Sequence, residues 1–186
     1  MANQKLEALR AWMAQEGMDA YMVPTSDFHE SEYVGEHFKA RSYLSGFTGS
    51  AGVCVVLKDE AELWTDGRYF IQAENQLRGT GIKLMKIAEP GVPTVDEFIA
   101  ENIKGGVLGA DLRTISASEG MELEKGGAIL KDCRSLIDGC WEGRPELSRE
   151  PAYVLPMELA GVSLGLSAPR WQSAMPMHAY LRILRI

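Results

Sequence analysis

A polar segment near the N-terminus holds the densest group of potential metal ligands in the chain: His29, Glu30, Glu32, Glu36 and His37. A hydrolytic metal site needs several such side chains on one ion and is commonly marked by a short-spaced histidine pair such as HExxH. Here the two histidines lie far apart in a stretch with loop character. We therefore favour a solvated polar surface over a metal site, and we predict neither a metal ligand nor a catalytic residue in this chain.

The most compact charged motif is Thr-Asp-Gly-Arg-Tyr at residues 65–69. One interpretation is structural: Asp66 caps a helix over residues 68–77, and Arg68 pairs with a carboxylate such as that of Asp66 or Glu32. The other is functional, because a guanidinium is a fixed cation whose planar fork of donors suits a ligand carboxylate or carbonyl. The motif favours the structural interpretation and leaves the functional one open.

A glycine-rich run at residues 46–52 directly precedes an apolar strand pattern. Such glycines can expose backbone N–H groups to a phosphate, but this run lacks the lysine and the helix that follow in phosphate-binding loops. Ser50 within the run lies outside any GxSxG motif for a nucleophile. The run therefore predicts a tight turn that feeds the strand.

These candidate residues need a scaffold, and the chain alternates between helical and strand patterns. Apolar residues at helical spacing predict an opening helix over residues 3–16, capped by Asn3 and stopped by Gly17. Two capping boxes, Thr94 with Glu97 and Ser116 with Glu119, start further helices. Compact apolar runs predict strands at residues 20–23, 53–57, 62–65, 82–87, 107–110 and 133–137. The alternation predicts an α/β fold with a mixed or parallel sheet flanked by helices.

Composition excludes several classes of partner. The 186 residues carry 19 lysines and arginines against 26 acidic residues, for a net charge of −7. Such a chain lacks the positive surface that nucleic acid or anionic lipid selects, so we expect no nucleic acid and no membrane partner. The longest apolar run, residues 51–57, is far shorter than the ~20 residues that span a bilayer. We expect a cytoplasmic protein, with Cys54, Cys133 and Cys140 as reduced thiols.

Four segments occur in a distinctive order: Asp27–Tyr33 (DFHESEY), Ser45–Gly52 (SGFTGSAG), Trp64–Phe70 (WTDGRYF) and Trp141–Pro145 (WEGRP). As a set they resemble the N-terminal, creatinase-type domain of Xaa-Pro aminopeptidase (aminopeptidase P) in its long, three-domain cytosolic form. The resemblance covers about residues 4–158. It implies the fold of the creatinase/prolidase N-terminal domain, a ribonuclease H-like mixed β-sheet flanked by helices.

The resemblance also implies a function. Enzymes of this family remove the N-terminal residue of peptides with proline at the second position, and a C-terminal pita-bread domain binds the two divalent metals, usually manganese. None of those ligands matches a position in this chain. We expect this domain to contribute substrate access, through Arg68 and Glu32, and to take part in a homodimer, while the chain alone is inactive. The alternative is a non-catalytic, stand-alone binding or regulatory module.

Three parts are predicted along the chain: a creatinase-type domain over residues 1–145, a proline-rich linker over residues 146–158 and a basic tail over residues 159–186. Every acidic residue precedes residue 159, whereas three arginines follow it. The tail departs from the helix that opens the second domain in the family, and its only helical pattern covers residues 177–186. We expect such a short, irregular tail from a truncated or frameshifted reading frame.

Overall fold

A computed structural model describes residues 2–151 and 156–160 and divides the chain into two compact units, Met1–Ser148 and Arg149–Ile186. The second unit contributes one described helix, α7 (Met157–Ala160). The predicted helix over residues 177–186 lies outside the described residues. The domain limits proposed from the sequence stay predictions.

The first unit is built on one six-stranded mixed sheet. Its strands are β1 (Ala20–Pro24), β2 (Val53–Leu57), β3 (Ala61–Thr65), β4 (Lys83–Lys86), β5 (Val107–Ala110) and β6 (Ile129–Asp132). They lie in the order β4-β3-β2-β1-β5-β6. Antiparallel pairs join β1 to β2 and β2 to β3, whereas β3 pairs with β4, β1 with β5 and β5 with β6 in parallel. The predicted mixed sheet flanked by helices is confirmed.

The helices cover both faces of this sheet. They are α1 (Ala2–Glu16), α2 (Ala40–Ser45), α3 (Phe70–Gln76), α4 (Val95–Asn102), α5 (Ala117–Lys125) and α6 (Ser135–Cys140). The first core contains residues of α1, α2, α3 and α6, and the second contains residues of α4 and α5. The central strands therefore bury the side chains on both of their faces. This explains why the sequences of these strands are continuous apolar runs rather than an alternation of apolar and polar residues.

The predicted helix limits follow local hydrogen-bonding chemistry. Thr94 and Glu97 form a complete capping box at the start of α4. The Ser116 hydroxyl accepts the N–H of Glu119 at 3.2 Å, which is one half of the second predicted box. Gly17 ends α1 with a φ of 66°, in the left-handed region that favours glycine. The helix begins at Ala2, so Asn3 lies inside it rather than at its cap.

The strand predicted at residues 133–137 is wrong. The sheet takes the preceding four residues instead, because Ile129–Asp132 pair in register with Val107–Ala110. Helix α6 follows, and Cys133 and Ile137 both join the first core. Ile137 reaches this core from α6, whereas Cys133 lies before the helix and donates its backbone N–H to the Ala110 carbonyl at 2.8 Å.

Glu62 is a buried acid in the middle of the sheet, 1% exposed and placed opposite Lys83 of β4. Its Oε2 atom is buried without a hydrogen-bond partner among the described residues. Burial raises the pKa of Glu62 to about 7, and the nearby Glu60 acts in the same direction, whereas Lys83 and Arg10 lower it. The fold therefore favours the protonated form of this carboxyl.

The stability of the domain is expected to fall as the pH rises from about 4.5 to about 7, because the folded pKa of Glu62 lies above its unfolded value. The contribution of Glu62 to the free energy of unfolding is complete below its unfolded pKa and is lost as the pH rises through its folded pKa. Glu62→Gln, which is neutral throughout, is expected to flatten this decline. Urea midpoints measured between pH 4 and 8 check it, with the exposed Glu101→Gln as the charge-matched control. Equal slopes in wild type and Glu62→Gln would contradict the prediction.

Candidate functional site

A cleft of about 500 Å³ opens beside the glycine-rich run that the sequence analysis singled out. Its walls come from residues 32–34, from the start of α2 and from loop residues 48–50, with Tyr69 and Gln72 closing one side. The volume lies within the range of small-molecule and peptide pockets. The cleft therefore combines two of the four segments that carried the family resemblance, and a third contributes Tyr69.

Arg41 forms the base of the cleft, and the sequence analysis missed it. Its side chain is buried, with 3% of the residue exposed. Nε donates to Thr25 Oγ1 at 2.6 Å, one terminal nitrogen donates to the Phe47 carbonyl at 2.9 Å, and the other donates to the Gly49 carbonyl. The guanidinium also lies 4.7 Å from the centre of the Phe47 ring. Burial lowers the pKa of Arg41 to about 10, so the group stays charged at neutral pH.

Further hydrogen bonds fix the rest of the glycine-rich loop. Ser50 Oγ lies 2.7 Å from the Tyr69 hydroxyl, across the cleft wall. Thr65 Oγ1 donates to the Ala51 carbonyl at 2.7 Å, and Thr25 Oγ1 donates to the Gly52 carbonyl at 2.8 Å. Because its carbonyls are held by side chains from several elements, the loop is preorganised. The predicted tight turn is more elaborate than the sequence indicated.

Gly52 shows why the loop ends in glycine. Its φ of 156° is unusual for a residue with a side chain, and a Cβ atom there would lie 2.7 Å from the Trp64 carbonyl oxygen. That oxygen belongs to the backbone of β3 and cannot move aside cheaply. The close approach of loop and strand therefore needs a residue without a side chain.

A small amide network extends the cleft wall onto α3. Gln72 and Gln76 both donate from Nε2 to Thr48 Oγ1 at 3.0 Å. The backbone N–H of Thr48 in turn donates to Gln76 Oε1 at 3.0 Å. The loop is thus tied to two successive turns of the helix, and the Gln72 amide lies at the cleft surface.

Arg68 lies beside the cleft, with its side chain 64% exposed. It forms a two-pronged pair with Asp66: Nε donates to Oδ1 at 2.9 Å and a terminal nitrogen donates to Oδ2 at 2.8 Å. The hydrogen bonds and charge of Asp66 raise the pKa of the Arg68 guanidinium, and the same pair lowers the pKa of Asp66. Of the two predicted partners, the structure selects Asp66 rather than Glu32.

Asp66 does not cap a helix, so that part of the structural prediction is wrong. Helix α3 begins at Phe70, after Tyr69 at its N-terminal boundary. The Asp66 carboxylate instead accepts the backbone N–H of Arg68 at 3.0 Å. Asp side chains readily accept a hydrogen bond from the backbone N–H two residues later in the chain. Here the resulting turn precedes the first residue of the helix.

The same Asp-x-Arg arrangement occurs a second time, away from the cleft. Arg113 pairs with Asp111 through Nε to Oδ1 at 2.9 Å and through a terminal nitrogen to Oδ2 at 2.7 Å. The backbone N–H of Arg113 also donates to Asp111 Oδ1. The repeated geometry shows that the pair is a local structural device, and that location rather than pairing distinguishes Arg68.

Glu32 lines the cleft and is exposed. Its carboxylate forms no hydrogen bond within the described part of the chain and acts on Arg68 only through space. The neighbouring cation, Lys39, is committed to Glu36 in an ion pair. The structure therefore places Glu32 and Arg68 near one another without joining them directly.

The histidines and acids of the polar segment do not fit a pair of metal ions. His37 Nδ1 lies 2.8 Å from the Pro145 carbonyl, and Glu36 pairs with Lys39. The His29 backbone N–H donates to Asp27 Oδ1 at 2.8 Å, within a turn that the Asp27 side chain holds together. In residues 2–151 and 156–160, no three His, Cys, Asp or Glu side chains are grouped so that they could hold a metal ion.

The cysteines lie away from the cleft surface as free thiols. Burial raises the pKa of Cys54 to about 12 and that of Cys140 to about 11. Thiols with such pKa values are almost entirely protonated at neutral pH, and the thiolate is the nucleophile in cysteine chemistry. Both residues therefore act as small apolar groups.

The fourth family segment, Trp141–Pro145, packs against α2 and the residues before it and does not line the cleft. The Trp141 ring stacks on Tyr43 with centroids 4.6 Å apart. Arg144 donates to the His37 carbonyl at 2.9 Å and to Asp138 Oδ1 at 2.7 Å. These contacts fasten the end of the domain to the helix that carries Arg41, which explains the motif by packing.

The fold and the cleft define a class: an α/β domain with a six-stranded mixed sheet, helices on both faces and a cleft built from a glycine-rich loop and a buried arginine. The chain belongs to the creatinase/prolidase N-terminal domain family, whose sequence profile matches residues 5–140. The resemblance drawn from the four segments is confirmed.

Similar proteins include aminopeptidase P2 of Arabidopsis thaliana, which is 39% identical over 176 residues, 88% of this chain and 24% of that protein. A solved structure of a Caenorhabditis elegans X-prolyl aminopeptidase, described as a cytosolic enzyme with a di-nuclear active site, has a TM-score of 0.80 and 34% identity and covers 94% of this chain and 31% of its own. The N-terminal domain of Mycobacterium tuberculosis PepQ, solved by itself, shares the fold, with a TM-score of 0.54, 24% identity and coverage of 75% and 99%.

The chain thus spans about a quarter of the length of the curated relatives it matches. Within residues 2–151 and 156–160, no helix has the length and apolarity that crossing a bilayer requires.

Proposed function

We propose that this chain acts as the N-terminal domain of a cytoplasmic, metal-dependent Xaa-Pro aminopeptidase, an enzyme that removes the residue before a proline from peptides. The observation that carries the proposal is the match itself: relatives named as aminopeptidases P are about 40% identical over nearly the whole chain. In this role the domain shapes access of peptides to an active site and contributes to a homodimer. Glu32, which lines the cleft, and Arg68, which directly precedes the lining residue Tyr69, are the residues proposed to meet substrate.

Catalysis belongs to another part of the longer polypeptide. The described side chains of this chain do not fit a pair of divalent ions. We propose that the two ions of the enzyme are manganese and that a pita-bread domain holds them. What this domain offers instead is a rigid surface. Arg41, Tyr69 and Gln76 hold the loop at residues 48–50, so a peptide would meet a preformed wall.

A stand-alone binding or regulatory module is the second candidate. The N-terminal domain of PepQ shows that this fold forms without the rest of a peptidase. Both cores of this domain also lie within residues 6–137, so its packing needs no further domain. The two candidates differ in whether the domain supports catalysis when joined to the rest of an aminopeptidase.

A chimeric protein tests this difference. Residues 1–158 replace the matching region of the C. elegans X-prolyl aminopeptidase, and release of the first residue from an Ala-Pro peptide is measured with manganese present. We expect the chimera to be active and the 186-residue chain alone to release nothing. The C. elegans enzyme without its matching region is the control, expected to lose most activity. A folded but inactive chimera would reject the proposal, as would a chimera no better than that deletion.

A further inference from the structure

Arg41 is a buried cation without a carboxylate partner among the residues that the structure describes. Its three hydrogen-bond acceptors are a threonine hydroxyl and two backbone carbonyls, all of them uncharged. The groups that act on its charge through space are the Cys54 thiol and the Tyr69 phenol. Buried charges in proteins are normally paired with an opposite charge, because burial penalises the charged form. The described part of the chain therefore does not supply a counter-charge for Arg41.

The guanidinium of Arg41 also has hydrogen-bonding capacity to spare. Arginine carries five N–H donors, and the contacts to the hydroxyl and the two carbonyls use three of them. The other two, one on each terminal nitrogen, have no acceptor within residues 2–151 and 156–160. Arg41 lines the cleft of about 500 Å³, so an anion there could use these two donors without displacing the loop carbonyls. A carboxylate suits them best, because its two oxygens match the planar fork of a guanidinium.

Two further charged side chains line the cleft, Lys39 and Glu32. Lys39 pairs with Glu36, and both side chains of this ion pair are well exposed. Exposed pairs are weak, so Lys39 exchanges Glu36 for a ligand carboxylate at little cost. Glu32 opposes an anion, but it is exposed and is not among the groups that act on Arg41. With two cations against one acid, the lining of the cleft favours an anionic ligand.

We propose that the cleft binds a carboxylate, held by the two remaining N–H groups of Arg41 and by the Lys39 ammonium group. Ser50 and Gln72 line the same cleft and offer a hydroxyl and an amide to the rest of the ligand. The carboxylate is the C-terminus of a peptide or an acidic side chain within one. That the ligand is a peptide rests on the proposed function, whereas the preference for a carboxylate rests on Arg41 and Lys39.

Binding to the 186-residue chain tests the proposal, because it needs no catalysis. The probes are Ala-Pro-Ala, its C-terminal amide Ala-Pro-Ala-NH2, and Ala-Pro-Glu-NH2, each titrated while the N–H signals of the protein are followed by NMR. We expect at least one carboxylate peptide to bind about tenfold more tightly than Ala-Pro-Ala-NH2, because hydrogen bonds between charged groups are the stronger kind. That peptide alone should shift the Arg41 Nε–H and Gly49 amide signals. Tight binding of Ala-Pro-Ala assigns the site to a peptide C-terminus, and tight binding of Ala-Pro-Glu-NH2 assigns it to an acidic side chain.

Two substitutions with opposite effects locate the carboxylate. Lys39→Gln is expected to weaken binding of the carboxylate peptide about threefold, whereas Glu32→Gln is expected to strengthen it about threefold. Lys104→Gln and Glu101→Gln are the matched controls, since they make the same charge changes in or just after α4, on the other face of the sheet. These controls should leave the affinity unchanged. All four positions are exposed, so the variants retain the fold.

Arg41→Lys tests the planar fork itself. Lysine keeps the charge but cannot present two parallel N–H groups, so folded molecules of this variant should bind the carboxylate peptide about tenfold more weakly. Their affinity for Ala-Pro-Ala-NH2 should stay unchanged. If Arg41→Lys does not fold, the Arg41 Nε–H signal of the wild type and the Lys39 and Glu32 variants decide the proposal.

The proposal is overturned if Ala-Pro-Ala-NH2 binds as tightly as both carboxylate peptides, or if the Arg41 Nε–H signal stays unmoved at saturation. It is also overturned if Lys39→Gln and Glu32→Gln behave like their controls. The test is separate from that of the proposed function. An inactive chimera combined with carboxylate-dependent binding would reject the aminopeptidase role and retain the carboxylate site. An active chimera without such binding would reject the site alone.

Discussion

Replacing Arg41 by alanine is expected to destabilise the domain by about 3 to 5 kcal/mol and to lower its melting temperature by roughly 10 °C. The guanidinium donates to Thr25 Oγ1 and to the carbonyls of Phe47 and Gly49, all at a buried site. Hydrogen bonds to a charged group are the stronger kind, and alanine would leave buried acceptors without donors. Unfolding followed by circular dichroism in urea and by heating measures the loss.

Arg78→Ala is the control for this prediction, since Arg78 is an exposed arginine that follows α3. Its removal is expected to change the melting temperature by about 1 °C or less, as is usual for an exposed side chain. Arg41→Lys keeps the charge but not the planar fork, so it should recover only part of the lost stability. If Arg41→Ala unfolded at the wild-type temperature, the guanidinium would not hold the loop.

The Arg41 substitution also links stability to the cleft. The loop that it holds supplies Thr48, Gly49 and Ser50 to the cleft wall. A loop released from Arg41 would adopt several conformations. Ordering the loop on binding would then cost part of the binding free energy. Loss of Arg41 should therefore weaken peptide binding in the variant molecules that remain folded.

Local chemistry explains which elements were predictable. The capping box of Thr94 and Glu97 depends on four consecutive residues, and the structure contains it as predicted. The apolar run at residues 53–57 became a strand because both of its faces are buried. In each case a few consecutive residues specify the secondary structure, and the tertiary fold is compatible with that local preference.

Long-range pairing explains the errors. Residues 129–132 and 133–137 are both plausible short strands, and only the register with β5 decides between them. Asp66 could cap either a turn or a helix, and the neighbouring Arg68 side chain favours the turn. Neither decision can be made from the spacing of apolar residues.

The candidate site was predictable in part. The family resemblance led to Glu32 and Arg68; Glu32 lines the cleft, whereas Arg68 directly precedes the lining residue Tyr69. Arg41 gave no comparable signal, since a single arginine between Ala40 and Ser42 has the pattern of an ordinary exposed residue. Its importance arises from acceptors contributed by Thr25, directly after β1, and by the loop after α2, which only the folded chain brings together.

Replacing Arg68 by alanine in the active chimera is expected to lower kcat/KM for an Ala-Pro peptide at least tenfold while leaving the melting temperature nearly unchanged. The pair with Asp66 is exposed and local, so it contributes little to folding. If Arg68 meets substrate, however, its fork of donors is lost from the transition state as well, and kcat/KM measures that loss. Initial rates at low peptide concentration and thermal unfolding of the same samples separate the two effects.

Arg113→Ala provides the matched control, because Arg113 forms the same two-pronged pair with an aspartate two residues before it. A purely structural Asp-x-Arg pair predicts equal outcomes for the two substitutions, with activity falling only in step with folded protein. A contact with substrate predicts that Arg68→Ala alone impairs catalysis, and that Arg68→Lys restores part of it by returning the charge without the fork. Retained activity in Arg68→Ala would assign Arg68 to the turn and leave Glu32 as the charged group that faces the peptide.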